Sequence, residues 1–130
     1  PRMGQLLARE ELVPDLILSS TAKRAASTAE AFARAAGFED DIHYTRELYH
    51  ADVETYIDLM KEVDNRYRCV MMVGHNPGLE ELVADLSGHH ERIPTGAVAY
   101  FKVTIADWQD VDVDQPSNFD LVTVWRPREL

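Results

Sequence analysis

A chain of 130 residues, 45% of them hydrophobic, is long enough for one domain with its own core and too short to require two. Its formal charge of −10, with a pI near 4.8, argues against nucleic acid or an anionic membrane as a bulk partner, so any phosphate group it binds must be captured locally. The single cysteine, Cys69, excludes an internal disulfide, and with no signal-peptide pattern and no apolar run of about 18 residues the chain is expected to be cytoplasmic.

Met3, Leu6 and Leu7 make a short apolar stripe that predicts the end of a helix, stopped at Leu12-Val13-Pro14. Asp15-Leu16-Ile17-Leu18-Ser19 reads as a short buried strand. Ser20 or Thr21 is placed to cap the next helix, whose inward positions are Ala22, Ala25, Ala26, Ala29, Phe32, Ala33 and Ala36, and which Gly37 ends. Ile42-His43-Tyr44-Thr45 predicts a second strand and Arg46 to Ala51 a loop. Asp52 then caps a helix with Val53, Tyr56, Ile57, Met60 and Val63 on its apolar face.

Val70-Met71-Met72-Val73 has four apolar residues in a row, the pattern of a parallel strand covered on both faces. Cys69, at its mouth, reads as a small buried hydrophobe. Gly74 permits a tight turn, Asn76 is a good N-cap and Pro77 suits the first helical position, before Leu79, Leu82, Val83 and Leu86 recur at helical spacing up to Gly88. After Pro94-Thr95-Gly96, residues 97–103 and 119–125 form candidates for a closing antiparallel pair. The alternation predicts one α/β domain spanning 1–130, a three-layer α/β/α sandwich with a mostly parallel sheet and a C-terminal antiparallel pair. Asp107, Asp110, Asp112 and Asp114 lack the glycine and terminal glutamate of a calcium loop and read as a solvated acidic loop. Trp108 and Trp125 read as packing residues, and His89 and His90 as residues favoured at a helix end.

Ligands of a parallel α/β sheet bind at the carboxyl ends of its strands. Two such ends carry chemistry here: Ser19-Ser20-Thr21-Ala22-Lys23-Arg24 and Gly74-His75-Asn76-Pro77. Arg24 falls on the first turn of its helix, where a positive charge opposes the helix dipole unless an anion sits between them. Its guanidinium is also the side chain best shaped for phosphate oxygens. His75 sits where free backbone N–H groups favour an anion as well.

Ser20-Thr21-Ala22-Lys23-Arg24-Ala25-Ala26-Ser27-Thr28-Ala29-Glu30 resembles the second signature of the histidine phosphatase superfamily, the phosphoglycerate-mutase-like fold. Gly74-His75-Asn76-Pro77-Gly78 resembles its later histidine motif, in the form typical of small SixA-type phosphohistidine phosphatases. The two stand in the family's order, and the similarity extends over essentially the whole chain. The resemblance implies a hydrolase in which a nucleophilic histidine takes a phosphoryl group and water releases it, with no metal and no cofactor. It makes Arg24 the arginine on the phosphate oxygens and His75 the second histidine, which stabilises charge on the transferring group. Asn76, Thr95 and Gly96 are candidates to complete the phosphate cradle. Glu47 is a candidate proton donor to the leaving group, or a surface carboxylate; His50 lines the rim or is merely exposed. The implied substrate is a phosphorylated protein, above all phosphohistidine, or a small phosphomonoester.

The family's first signature is an Arg-His pair after a strand, and no Arg-His pair occurs in this sequence. That strand carries the nucleophile and lies beside the strand ending at Gly74, so its absence predicts open strand edges. The expectation is an N-terminally incomplete domain, with about 30–45 residues of strand, loop and half a helix preceding Pro1 in the intact protein. The alternative is an inactive phosphate-binding or interaction module that kept Arg24 and His75 without a nucleophile.

Overall fold

Ile17 and Leu18 are neighbours on one strand and enter different cores, as the period-two alternation of a strand requires. The computed structural model describes residues 2–129. In order it contains α1 (Arg2–Arg9), β1 (Leu16–Ser20), α2 (Lys23–Ala36), β2 (His43–Thr45), α3 (Val53–Lys61), β3 (Val70–Val73), α4 (Gly78–Ser87), β4 (Val98–Val103) and β5 (Phe119–Trp125), with short 3-10 turns between. One core joins Met3 and Leu7 of α1 and Ala29, Phe32, Ala33 and Ala36 of α2 to Ile17, with Met71, Val73, Val98 and Trp125 packed against it. The other joins Tyr56, Ile57 and Leu59 of α3, Leu82 and Leu86 of α4, Val111 and Phe119, with Leu18, Met72 and Phe101 against it. Helices therefore cover both faces of one β-layer, the expected three-layer sandwich. Burying a side chain such as Ile17 completely contributes about 1.5–3 kcal/mol.

β1 pairs in parallel with β2 on one side and with β3 on the other, while β4 and β5 form the expected antiparallel pair, irregular in register between Tyr100 and Phe101. Among the described residues the pair is not hydrogen-bonded to the three-stranded sheet, and β3 is an edge strand. This changes the expectation for Val70 to Val73. All four residues are half-buried rather than covered on both faces, because β3 has a partner along one edge only.

The helix ends differ from expectation in one respect. Asp52 caps α3 as predicted, accepting the Thr55 N–H at 2.9 Å, and Gly37 and Gly88 follow α2 and α4 in the left-handed conformation. The caps of α2 and α4, however, fall on Ala22 and Pro77, neither of which offers a capping side chain. The polar residues expected there are engaged elsewhere. The acidic loop folds on itself through local turns, with Asp112 accepting the Asp114 N–H. Trp108 packs as predicted, its indole N–H donating to the Tyr67 carbonyl at 2.8 Å, and Trp125 stacks on Tyr100. None of the described helices is long and apolar enough to cross a membrane.

Candidate active site

The parallel register sets Ser20 opposite Thr45 and Ser19 opposite Val73, so the polar turns after β1, β2 and β3 open at the same edge of the sheet. Ser20 is fully buried there. Its Oγ lies 2.9 Å from His75 Nε2 and accepts the Ala22 N–H at 3.2 Å, which joins the turn after β1 to the turn after β3. Ser20 was legible in the sequence only as a helix cap. Its partner is 55 residues away, and the one local signal is a second polar residue ending an apolar strand.

The two helix N-termini at this edge are electrostatically unlike. The first turn of α2 holds Lys23 and Arg24, no acidic residue and no side-chain cap. Two cations at the positive end of a helix, beside uncapped N–H groups, leave an anion as the missing charge. The first turn of α4 holds Glu80 and Glu81 instead, which already answer its dipole. The sequence suggested an anion preference at the His75 helix; the charge pattern favours an anion more at the α2 end. Arg24 is exposed on that turn, as expected.

His75 is half-buried at the centre of this edge. Burial first, and then the neighbouring His50, hold its pKa below the usual imidazole value, which favours the neutral ring. Its carbonyl accepts the Leu79 N–H at 3.0 Å, and the Asn76–Pro77 peptide is cis. Two close approaches explain the glycines of this turn. A Cβ at Gly74 would run into the Tyr56 hydroxyl, and one at Gly78 into the Ala51 carbonyl. The Tyr56 hydroxyl is buried without a regular hydrogen bond; burial pushes its pKa up, and the His75 backbone N–H draws it partly back.

The Asn76 side chain is directed at Ile93 and Glu80. Its Nδ2 donates to the Ile93 carbonyl at 2.8 Å and to Glu80 at 3.3 Å, while Glu80 accepts the Ile93 N–H at 2.9 Å. Both amide protons are used, so its side chain ties the His75 turn to the loop before β4. The same loop is held from the other side by Arg126, which donates to the Arg92 carbonyl and pairs with Glu91 at 3.0 Å. Thr95 and Gly96 are exposed on this loop, with Gly96 at a φ of +83°. Glu47 is exposed on the 3-10 turn Arg46–Leu48 that follows β2, its backbone N–H donating to Thr45 Oγ1 at 3.2 Å. Beyond that turn Tyr49 and His50 reach His75, with ring centroids 5.6 and 5.9 Å from its own. Among the described residues no three His, Cys, Asp or Glu side chains converge to hold a metal ion.

No family model matches the chain. It is 27% identical over 122 residues to the uncharacterized protein ML1117 of Mycobacterium leprae (strain TN), covering 86% of this chain and 71% of that protein. Among solved structures it is similar to a protein assigned as phosphohistidine phosphatase SixA from Agrobacterium tumefaciens, with 30% identity, a TM-score of 0.76 and coverage of 97% of this chain and 76% of that one. The protein histidine phosphatase SixA complexed with tungstate matches at a TM-score of 0.80 and 20% identity, over 98% of this chain and 78% of that one, and so supports the fold. A protein from Nakamurella multipartitia assigned to the same type matches at 0.77 and 24%, over 97% of this chain and 78% of that one. The fold and the order of its two motifs define a phosphoglycerate-mutase-like α/β protein. The chain belongs to the histidine phosphatase superfamily, and within it is similar to the SixA type.

Proposed function

We propose that this chain provides the phosphoryl pocket of a metal-independent phosphatase that works through a phosphohistidine intermediate, with protein-borne phosphohistidine as substrate and a small phosphomonoester as the lesser candidate. The supporting observation is the N-terminus of α2: uncapped, free of acidic residues, carrying Arg24, and joined through Ser20 to His75. Phosphoryl transfer demands positioned donors around three equatorial oxygens rather than covalent work by the protein. Arg24 and the first N–H groups of α2 supply positive charge on one side, and His75 supplies a donor on the other. Asn76 acts by holding the turn, and Thr95 and Gly96 approach from the loop that it anchors. Glu47, at the rim, is the candidate proton donor to the leaving group.

The proposed chemistry requires a nucleophilic histidine facing His75, and the open edge of β3 offers it a place, since a strand pairing there would end beside Gly74 and His75. In the first step the nucleophile's nitrogen bonds to phosphorus as the substrate's P–N bond breaks, and the leaving imidazole takes up a proton. Water then attacks the phosphorylated histidine, releasing phosphate and restoring the imidazole.

Hydrolysis of a histidine-phosphorylated protein in the presence of EDTA tests the reading. The intact protein is expected to release phosphate undiminished by the chelator, while Arg24→Ala and His75→Ala fall by about 100-fold or more, the usual effect of removing one transition-state donor. Full activity in both variants would remove the assignment. Phosphate binding without turnover would make the protein the inactive module.

A further inference from the structure

The turn after β2 delivers two rings that the phosphate chemistry leaves unused. Tyr49 and His50 follow Arg46–Leu48 directly and both are exposed; Tyr49, at 53%, is more exposed than Tyr44 or Val122. An aromatic face left in water beside a binding site gains when a flat ligand covers it. The rings are not loosely arrayed. Tyr49 meets His50 edge-on at 4.2 Å and His75 edge-on at 5.6 Å, and His50 is tilted by 37° against His75 at 5.9 Å.

The backbone holds them there at a cost. His50 has a φ of +54°, in the left-handed region that an L side chain rarely adopts. One residue on, the Ala51 carbonyl packs so tightly against Gly78 that the ring-bearing loop and the His75 turn are locked together. Strain kept at a non-glycine position of an exposed loop points to a constraint on where the ring must sit. Leu48, just before, is fully buried and anchors the loop in the core on the α3 and α4 side.

We propose that Tyr49 and His50 form an aromatic wall over the phosphoryl pocket that stacks on the planar ring bearing the phosphoryl group, and so selects phosphorylated imidazole over phosphorylated alkyl side chains. The inference rests on the phosphoryl-pocket reading above. Imidazole is the favoured ring because its nitrogen is bonded directly to phosphorus: with the phosphoryl group beside His75, the ring lies at the distance of the wall. Phosphotyrosine shares the stacking chemistry but sets its ring one oxygen further out.

The test is a calorimetric titration of the protein with four ligands: inorganic phosphate, a phosphoserine peptide, a phosphotyrosine peptide, and the same peptide bearing a phosphonotriazole isostere of phosphohistidine. Tyr49→Ala is expected to weaken the triazole peptide by about five- to tenfold, with the other three ligands within about twofold, and Tyr49→Phe to restore it. As Tyr49 is largely exposed, its truncation opens no core cavity. His50→Gly relieves the positive φ, so its melting temperature is expected to be no lower than that of the wild type while the triazole peptide binds at least about threefold more weakly. Equal weakening of the triazole and phosphoserine peptides, or of neither, would overturn the wall while leaving the pocket standing. Equal weakening of the phosphotyrosine peptide would overturn the selection of imidazole. Failure of the wild type to bind even inorganic phosphate would overturn the pocket and the wall together.

Discussion

Ser20 and Ser19 are adjacent, equally buried, and differently employed. Ser19 Oγ donates to the Ser20 carbonyl at 3.0 Å and closes a purely local contact, whereas Ser20 Oγ is shared between His75 and the Ala22 N–H. Ser19→Ala should cost about 1 kcal/mol, since it removes one hydrogen bond, and Ser20→Ala about 2 kcal/mol, since it removes two. Only Ser20→Ala should also weaken phosphate binding, by several-fold, because it releases the imidazole it holds. Urea melts paired with phosphate titrations separate the two. The sequence marks Arg24 and His75 as candidates because each sits at an unusual place in a strand–turn–helix unit. It did not expose the contact of Ser20 with His75, which follows another strand, or the positive φ of His50, a residue the sequence offered only as a rim or exposed one.

At the scale of elements, apolar periodicity located the strands and α2, α3 and α4 to within about two residues, since it reports which face is buried, while α1 ends at Arg9, short of the expected stop at Leu12-Val13-Pro14. The caps were less legible. A serine or asparagine before a helix is a good cap in isolation, but here tertiary partners outcompete the helix: Ser20 goes to His75, and Asn76 to Ile93 and Glu80. The outcome leaves α2 uncapped beside Arg24 and α4 neutralised by its own glutamates, a division of labour invisible in either segment alone. The contact between α3 and the His75 turn is equally specific. Gly74→Ala drives a methyl group into the Tyr56 hydroxyl and should destabilise by about 1–3 kcal/mol. Tyr56→Phe removes the hydroxyl that lacks a regular partner and should be close to neutral alone. Together the two changes should cost less than Gly74→Ala by itself, because the clash with oxygen is gone and the next ring atom lies 3.0 Å from the new methyl. A double-mutant cycle of unfolding free energies measures the difference; strict additivity would mean that Tyr56 is not what the glycine avoids.

For the whole molecule, the two cores hold three parallel strands in register so that the turns after β1, β2 and β3, together with the loop before β4, meet at one edge. This architecture follows from the order of apolar runs, and among the described residues β3 is left as an edge strand. The net charge of −10 repels phosphate at long range, so in the proposed reading capture depends on the local positive field of α2 and Arg24 and on a proton at His75. Burial and His50 depress the pKa of the free ring, whereas a bound phosphate dianion must raise it. Binding is therefore coupled to proton uptake: this contribution to affinity is fully present below the pKa of the free ring and is lost as pH rises through that of the bound state. Nitrogen and proton resonances of the His75 ring, followed through a phosphate titration at a series of pH values, test this claim most directly. The account predicts that saturating phosphate shifts the ring signals and moves the His75 pKa upward, and that Arg24→Ala abolishes both effects; a ring that titrates identically with and without saturating phosphate would contradict it.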